Sequence, residues 1–452
     1  MKRIALLGLG ALLLGGCDLD RTNPNAPTQE ATVSTPEGLM ALGVGLQTRY
    51  GAEQAAFIYA NGLVTDELGA VAAALVTVSD AETGSVQGNA GLVADLWGGA
   101  YRVIKTANDI IDNADAVTLE IGTRSGLLGL AYTLKAAAYG DLVQAFQQVI
   151  LDPKSISSPF VGRAEALTYA LALLDTAELR LAEAPVSATF TNNVLGRGFD
   201  LANTIRAYRA RLERVAGNDA AALAAANTVS RSVFSVLAFD AGNANPVFTL
   251  SSGSSGVLPR DAFRLSAPAG EEAWVGYHVA AAALTGRINT PLDNYARFTG
   301  QTSPMPTYYP DEMLLIKAEM LALANDLPGA RAALDSVRTD CPGAAGRTDL
   351  DPNPCLPAIG ASLTTQQAIL AEIYRARRYE LFATGLRWED ARRRNLVGAG
   401  SAATAAGAFA ERCWLPYPVG ERNGRNPAGP GAVPPDPEQF DPPAYPAACT
   451  TT

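Results

Sequence analysis

The chain has 452 residues, 48% hydrophobic and 18% charged, with 35 Lys and Arg against 45 Asp and Glu, one histidine and a net charge of −10. That acidic balance disfavours nucleic acid, whose phosphates call for a cationic face, and equally disfavours electrostatic adhesion to anionic lipid. The length suffices to bury a large core as one big or two intimate domains.

Lys2 and Arg3 open the chain, an apolar run occupies residues 4–14, and Leu14-Gly15-Gly16-Cys17 follows. The run is too short to span a bilayer, and a cysteine stands after two small residues. This pattern reads as a signal peptide over residues 1–16, cleaved before Cys17, with acylation of that cysteine. Acyl chains would hold the protein at a membrane surface. Loss of Lys2 and Arg3 would take the net charge from −10 to −12. Residues 17–35 form a polar tether rich in Asn, Pro and Thr.

From residue 36 to 238 the pattern is helical. Trp97, Tyr101, Ile104, Asn108 and Ile111 recur at alternating spacings of four and three, which predicts one buried helix face. Further helices are predicted over 127–149 and 163–181. Within 203–231 two helices meet at Ala216-Gly217-Asn218-Asp219, and within 311–340 two more meet at Asn325-Asp326-Leu327-Pro328. These hairpins align without gaps, placing Ala210, Leu212, Val215, Ala222, Ala225 and Val229 opposite Ala318, Met320, Leu323, Ala330, Ala333 and Val337. Each has about the length of a tetratricopeptide unit, with small residues where paired helices must approach closely. The expected fold is all-α, a tetratricopeptide-like scaffold of helical hairpins with few short strands, and such scaffolds hold partners on a concave side or on attached loops.

Residues 239–310 differ, with Ser251-Ser252-Gly253-Ser254-Ser255-Gly256 and many turn residues, and read as an irregular, loop-rich insertion in which Phe248-Thr249-Leu250 forms a short strand. Its aromatics Trp274, Tyr277, Tyr295, Phe298, Tyr308 and Tyr309 are the ligand-binding candidates. An aromatic face suits sugar C–H groups while neighbouring polar groups take the hydroxyls. Burial is the competing fate for each of them. Trp97, Trp388 and Trp414 read as core, leaving Trp274 as the freest tryptophan.

Residues 311–397 return to helix. Leu370, Tyr374, Arg378 and Phe382 share one stripe, with Ile369, Ile373, Arg377 and Leu381 beside it, so two arginines interrupt an apolar face. A buried guanidinium is costly unless paired. Glu380 and Asp390 are the natural partners, Arg387 joins the same structural ion-pair network, and Gly385 ends or bends the helix. Residues 373–394 resemble the C-terminal signature of SusD/RagB nutrient-binding outer-membrane lipoproteins, roughly Glu-Arg-Arg-x-Glu-Leu-x-x-Glu-Gly-x-Arg-Trp-x-Asp-Leu. Arg377, Arg378, Glu380, Leu381, Gly385, Arg387, Trp388 and Asp390 match it, while Ala376 and Thr384 stand where that family has glutamate. The Trp97 helix, the tether and Trp414-Leu415-Pro416-Tyr417-Pro418 are also similar to the family's elements. The resemblance implies a protein at the outer membrane, facing outward, that captures glycans or peptides as a lid over a SusC-like TonB-dependent transporter, without turnover.

Residues 398–452 form a Pro/Gly-rich tail. Beyond Cys17 the cysteines are Cys341, Cys355, Cys413 and Cys449, an even number that suggests two disulfides in an exported chain. Three pairings are possible, and sequence proximity favours Cys341 with Cys355 and Cys413 with Cys449. No Cys-x-x-Cys occurs and His278 is remote in sequence, which argues against a metal site. A lone His278 without Gly-x-Ser-x-Gly argues against a serine triad, and the lack of a phosphate-cradling Gly-x-x-x-x-Gly-Lys argues against a nucleotide cofactor. The acidic pairs Asp66-Glu67 and Glu271-Glu272 are the only route to a helical glycoside hydrolase, and adjacent residues on a helix do not face each other. A tetratricopeptide-type envelope scaffold is the other alternative.

Overall fold

The computed structural model describes residues 29–253, 256–341, 350–393, 412–425, 429 and 431–436. Cys17, the signal peptide and Cys449 lie outside them. Gln29–Val33, within the span read as tether, is already helical.

The first long helix, Pro36–Val64, starts at Thr35, whose hydroxyl accepts from the Gly38 amide at 3.2 Å, with Pro36 in the first turn. Gly91–Asn113 carries the Trp97 face, followed by Ile121–Ala145 and Arg163–Ala182, and these four helices pack against their neighbours in turn. Leu201–Ala216 and Asp219–Ala226 form the next hairpin, closed at Gly217, whose φ of 78° a β-carbon would penalise. Pro310–Leu323 and Leu327–Arg338 form another, its second helix capped by Asp326 accepting from the Gly329 amide at 3.0 Å. The two hairpins pack against each other. Ala207, Ala210, Ala222, Ala225 and Ala226 pack with Tyr308, Met313, Ile316 and Met320 in one small cluster. Gln366–Glu380 covers the second hairpin, so hairpin stacks on hairpin in an all-α, tetratricopeptide-like scaffold.

The strands are short and all pair antiparallel in twos. Leu68–Ala70 pairs with Val257–Pro259, and Val236–Leu237 with Met305–Pro306, stitching the insertion to the scaffold. Gln148–Ile150 pairs with Phe160–Gly162, and Val279–Thr285 with Pro291–Tyr295 across an irregular register. Phe248-Thr249-Leu250 is not a strand but part of the helix Pro246–Ser251. Asn245 accepts from the Phe248 amide at 3.0 Å and Pro246 occupies the first turn, so capping outweighs the β preference of the side chains. Cys341 and Cys355 are disulfide-bonded, with their Cα atoms 4.3 Å apart. Cys413 is buried and disulfide-bonded.

Part of the tail belongs to the core. Trp97 meets Phe146, Phe160 and Tyr417, with centroids 4.9, 6.0 and 5.8 Å away, and the Leu415 amide donates to the Ala145 carbonyl at 2.8 Å. Arg392 lies over the buried Trp414 ring at 4.2 Å.

The 373–393 region is wired differently from its helical spacing. Arg377 Nε donates to both Asp390 oxygens at 3.0 and 2.9 Å, and Arg214 donates to the same carboxylate at 2.8 Å. Arg214 also reaches Glu319 at 2.5 Å, where Tyr374 and Arg393 converge at 2.8 and 3.1 Å. Glu389 takes Arg163 at 2.7 Å and Arg392 at 2.6 Å. Glu380 is therefore not the partner of Arg377: it is buried and accepts from the Trp274 indole at 2.9 Å. Arg378 and Arg387 lie around Glu67, whose carboxyl burial raises to about 7 despite those two positive charges.

Replacing Asp390 with Ala would leave the buried Arg377 guanidinium without its carboxylate and strip Arg214 of one of its two. The expected cost is about 3–5 kcal/mol, read from the urea midpoint. Asp112→Ala, which breaks the exposed pair with Lys154, should leave the midpoint unchanged, and equal midpoints for both variants would refute the structural role of Asp390.

Candidate ligand-binding cleft

The aromatic candidates are mostly buried where the insertion packs on the helical scaffold. Trp274 is fully buried, Tyr308 donates to the Val233 carbonyl at 3.1 Å, and Tyr309 packs with Leu381 and Leu386. Tyr295 and Phe298 are buried against each other with centroids 5.6 Å apart, and Arg297 covers Phe298 at 4.3 Å. Only Tyr277 of the six is half-buried. This corrects the expectation that Trp274 is free to stack on a ligand. Large aromatic side chains on segments packed against the scaffold are buried with it. His278 is enclosed among Phe263, Tyr277 and Phe382, and burial drives its pKa well below the usual histidine range.

The acidic pairs are engaged elsewhere. Asp66 is paired with Arg260, and Glu271 with Arg338 at 2.9 Å and with Arg375. Glu272 accepts from the Gly270 amide at 2.8 Å.

A cavity of about 470 Å³ instead opens between Pro36–Val64 and Gly91–Asn113, flanked by Val76–Glu82 and Pro246–Ser251. That volume is within the range of small-molecule sites. Arg49, Ala52, Glu53, Ala56, Tyr59 and Leu63 line it from the first helix, at the spacing of one helical stripe. Leu92, Asp95, Gly99 and Arg102 line it from the second, with Leu75, Val78, Leu250 and Val257 completing the apolar wall. The two helices run antiparallel: Gln29, ahead of the first, donates to Asp109 late in the second at 3.4 Å, whereas Glu53 lies against Gly99. A β-carbon at Gly99 would stand 3.5 Å from Glu53 Cγ, an ordinary van der Waals contact, so the two helices meet there at the cleft floor.

Glu53 is the least expected group in the cleft. It is 1% exposed, its Oε2 accepts from Gln54 at 3.1 Å, and its Oε1 has no hydrogen-bond partner. Gln54 also donates to Asp141 at 2.5 Å. Burial, then the Asp141 charge, hold the Glu53 carboxyl well above its ordinary range. Burial likewise raises Asp141, to about 7, against the pull of Arg211. Nothing in the apolar periodicity marks these residues. The available signal is a carboxylate amid alanines on the stripe Arg49, Ala52, Glu53, Ala56.

A second concavity, of about 440 Å³, lies on the other side of Arg102 around Tyr101 and Asn108. Apart from Arg102, which lines both, its cations are committed: Lys105 to Asp109 at 2.8 Å, Lys154 to Asp112 at 2.6 Å and Arg425 to Glu421 at 2.9 Å.

The buried acids set a pH dependence. A carboxyl raised by folding stabilises while protonated, and that contribution is lost as pH rises through its folded pKa. Thermal stability should therefore fall as pH rises through about 7, with Asp141 and Glu67 titrating there. Glu53→Gln should make that fall shallower without abolishing it. An unchanged slope of melting temperature against pH would show that Glu53 does not titrate with folding.

No protein-family model matches the chain, and no match is found among curated proteins. Among solved structures the chain is similar to NanU of Bacteroides fragilis, at 15% identity and a TM-score of 0.67 over 93% of this chain and 100% of that one. It is similar also to a SusD superfamily protein from Bacteroides thetaiotaomicron, at 14% identity and a TM-score of 0.67 over 89% and 100%. A SusD-like carbohydrate binding protein from Bacteroides vulgatus matches at 17% identity and a TM-score of 0.60 over 80% and 84%. These identities carry the fold, and the chain has the fold of the SusD superfamily.

Proposed function

We propose that this protein is a non-catalytic nutrient-binding lipoprotein, anchored through acylated Cys17 at the outer membrane and facing outward. It holds a glycan or peptide ligand and delivers it to a SusC-like TonB-dependent transporter. The observation that carries the reading is a ligand-sized cleft built into a scaffold that shares the fold of proteins described as SusD-like and carbohydrate binding. The lipobox-like Leu14-Gly15-Gly16-Cys17 and the polar segment after it support a tethered position. The engagement of Asp66 and Glu271 in ion pairs weighs against the glycosidase alternative, which needs two free carboxyls flanking one bond.

Purification of the acylated protein from native membranes in mild detergent, at natural expression, should recover a TonB-dependent transporter with it. Repeated recovery alone would count against the lid role. Cys17→Ala should move the protein from the membrane to the soluble fraction, and retention of the variant in the membrane would remove the anchor from the reading.

A further inference from the structure

We propose that the cleft between Pro36–Val64 and Gly91–Asn113 takes an aliphatic carboxylate, its head at Arg49 and Arg102 and its chain toward Leu75 and Leu250. The inference rests on the reading of this chain as a binding protein and names the ligand chemistry of that site.

The antiparallel run of the two helices separates the cleft into two ends. Glu53 is level with Gly99. Arg49 lies one turn before Glu53 and Arg102 three residues after Gly99, so both guanidinium groups come to the same end. Both are exposed, and neither makes a hydrogen bond or ion pair among the described residues. Arg425, at the neighbouring concavity, is by contrast committed to Glu421. Two uncommitted guanidinium groups beside one cavity fit an anionic oxygen pair, which they bind by charge-assisted hydrogen bonds.

The opposite end is aliphatic. Leu75 and Leu250 are 65% and 42% exposed, among the large apolar side chains that folding leaves in water, and both line this cavity. Leu63, Val78 and Leu92 continue the wall. Tyr59 is the single aromatic ring of the lining, and its hydroxyl is spent on the Val247 carbonyl at 3.2 Å. A neutral sugar would find little ring surface to stack on and would leave both guanidinium groups without counter-charge. Glu53, between the two ends, is buried, with its carboxyl hydrogen-bonded to Gln54 and to Asp141.

Two sources supply this chemistry, a medium-chain fatty acid and the C-terminal leucine of a short peptide. Asp95 separates them. It is the exposed carboxylate of the lining, one turn from Gly99 on the aliphatic side, where it can accept a peptide N–H but meets no donor on an alkyl chain.

The test is calorimetry on the full mature chain carrying Cys17→Ser, which lacks the acyl group, titrated with decanoate, with Ala-Ala-Leu and with neutral maltotriose. Decanoate or the peptide should bind, and Arg49→Gln should weaken that binding about tenfold or more, the value of one charged hydrogen bond. Arg102→Gln should do the same, and circular dichroism melting should be unchanged in both variants because both side chains are exposed. Weakening by Asp95→Asn assigns the peptide, and indifference to it assigns the fatty acid. Carboxylate binding with undiminished affinity in Arg49→Gln overturns the inference. Maltotriose binding without carboxylate binding also overturns it, while leaving the binding-protein reading intact. If none of the three binds, the inference fails, and co-purification with a transporter then decides separately whether the reading above survives.

Discussion

Asp390 holds two buried guanidinium groups, Arg214 from the Leu201–Ala216 helix and Arg377 from Gln366–Glu380. In a stack of helical hairpins each unit contacts only its neighbours, so nothing in the repeat itself fixes how the last helix returns to the middle of the stack. The carboxylate does this. Together with Glu319 and Glu389 it gathers arginines from three helices and from the Arg387–Arg393 segment, charges that are costly to bury unpaired. The register of the scaffold, and with it the position of the cleft helices against the C-terminal half, depends on that arrangement.

The hairpins were legible because helical periodicity is local: both form where the pattern puts them, and the alanines of 203–231 pack on Met313, Ile316 and Met320. The partner of Arg377 was not legible. Glu380 has the right spacing on the same helix, but Ala383 and Gly385 adopt φ of 53° and 81°, reversing the chain and bringing Asp390 back onto Arg377. Phe57 packs so closely on Gly385 that a β-carbon there would lie 2.4 Å from its ring. The same limit explains Trp274. Composition places nine aromatics in the insertion, yet whether the Trp274 ring faces water or core is decided by the Glu380 carboxylate and the Tyr379 ring, contributed from over a hundred residues away.

The cleft was hidden for a related reason. Pro36–Val64 is apolar around most of its circumference, so its stripe toward Gly91–Asn113 carries no contrast by which to recognise it. Its acids are distinguished from the network's by their surroundings. Burial pushes every one of these carboxyls up, but arginines outweigh it at Glu319 and Glu389 and hold them at about 2, while at Asp141 they do not and it stays near 7. The first pair stabilises the fold above the ordinary carboxylate range and loses that contribution as pH falls toward 2. The second group loses its contribution as pH rises through 7. The two trends bound the pH range of greatest stability from opposite sides.

Glu53 joins the cleft to this interior. Gln54 ties it to Asp141 on Ile121–Ala145, Arg211 lowers the Asp141 carboxyl by its charge, and Arg211 is itself clamped by both oxygens of Glu312 at 2.7 Å on Pro310–Leu323. A polar path thus runs from the cleft floor to the second hairpin without leaving the core. An anion seated at Arg49 and Arg102 would add negative charge beside Glu53 and favour its protonated form. That form no longer repels Asp141, which is then freer to ionise toward Arg211.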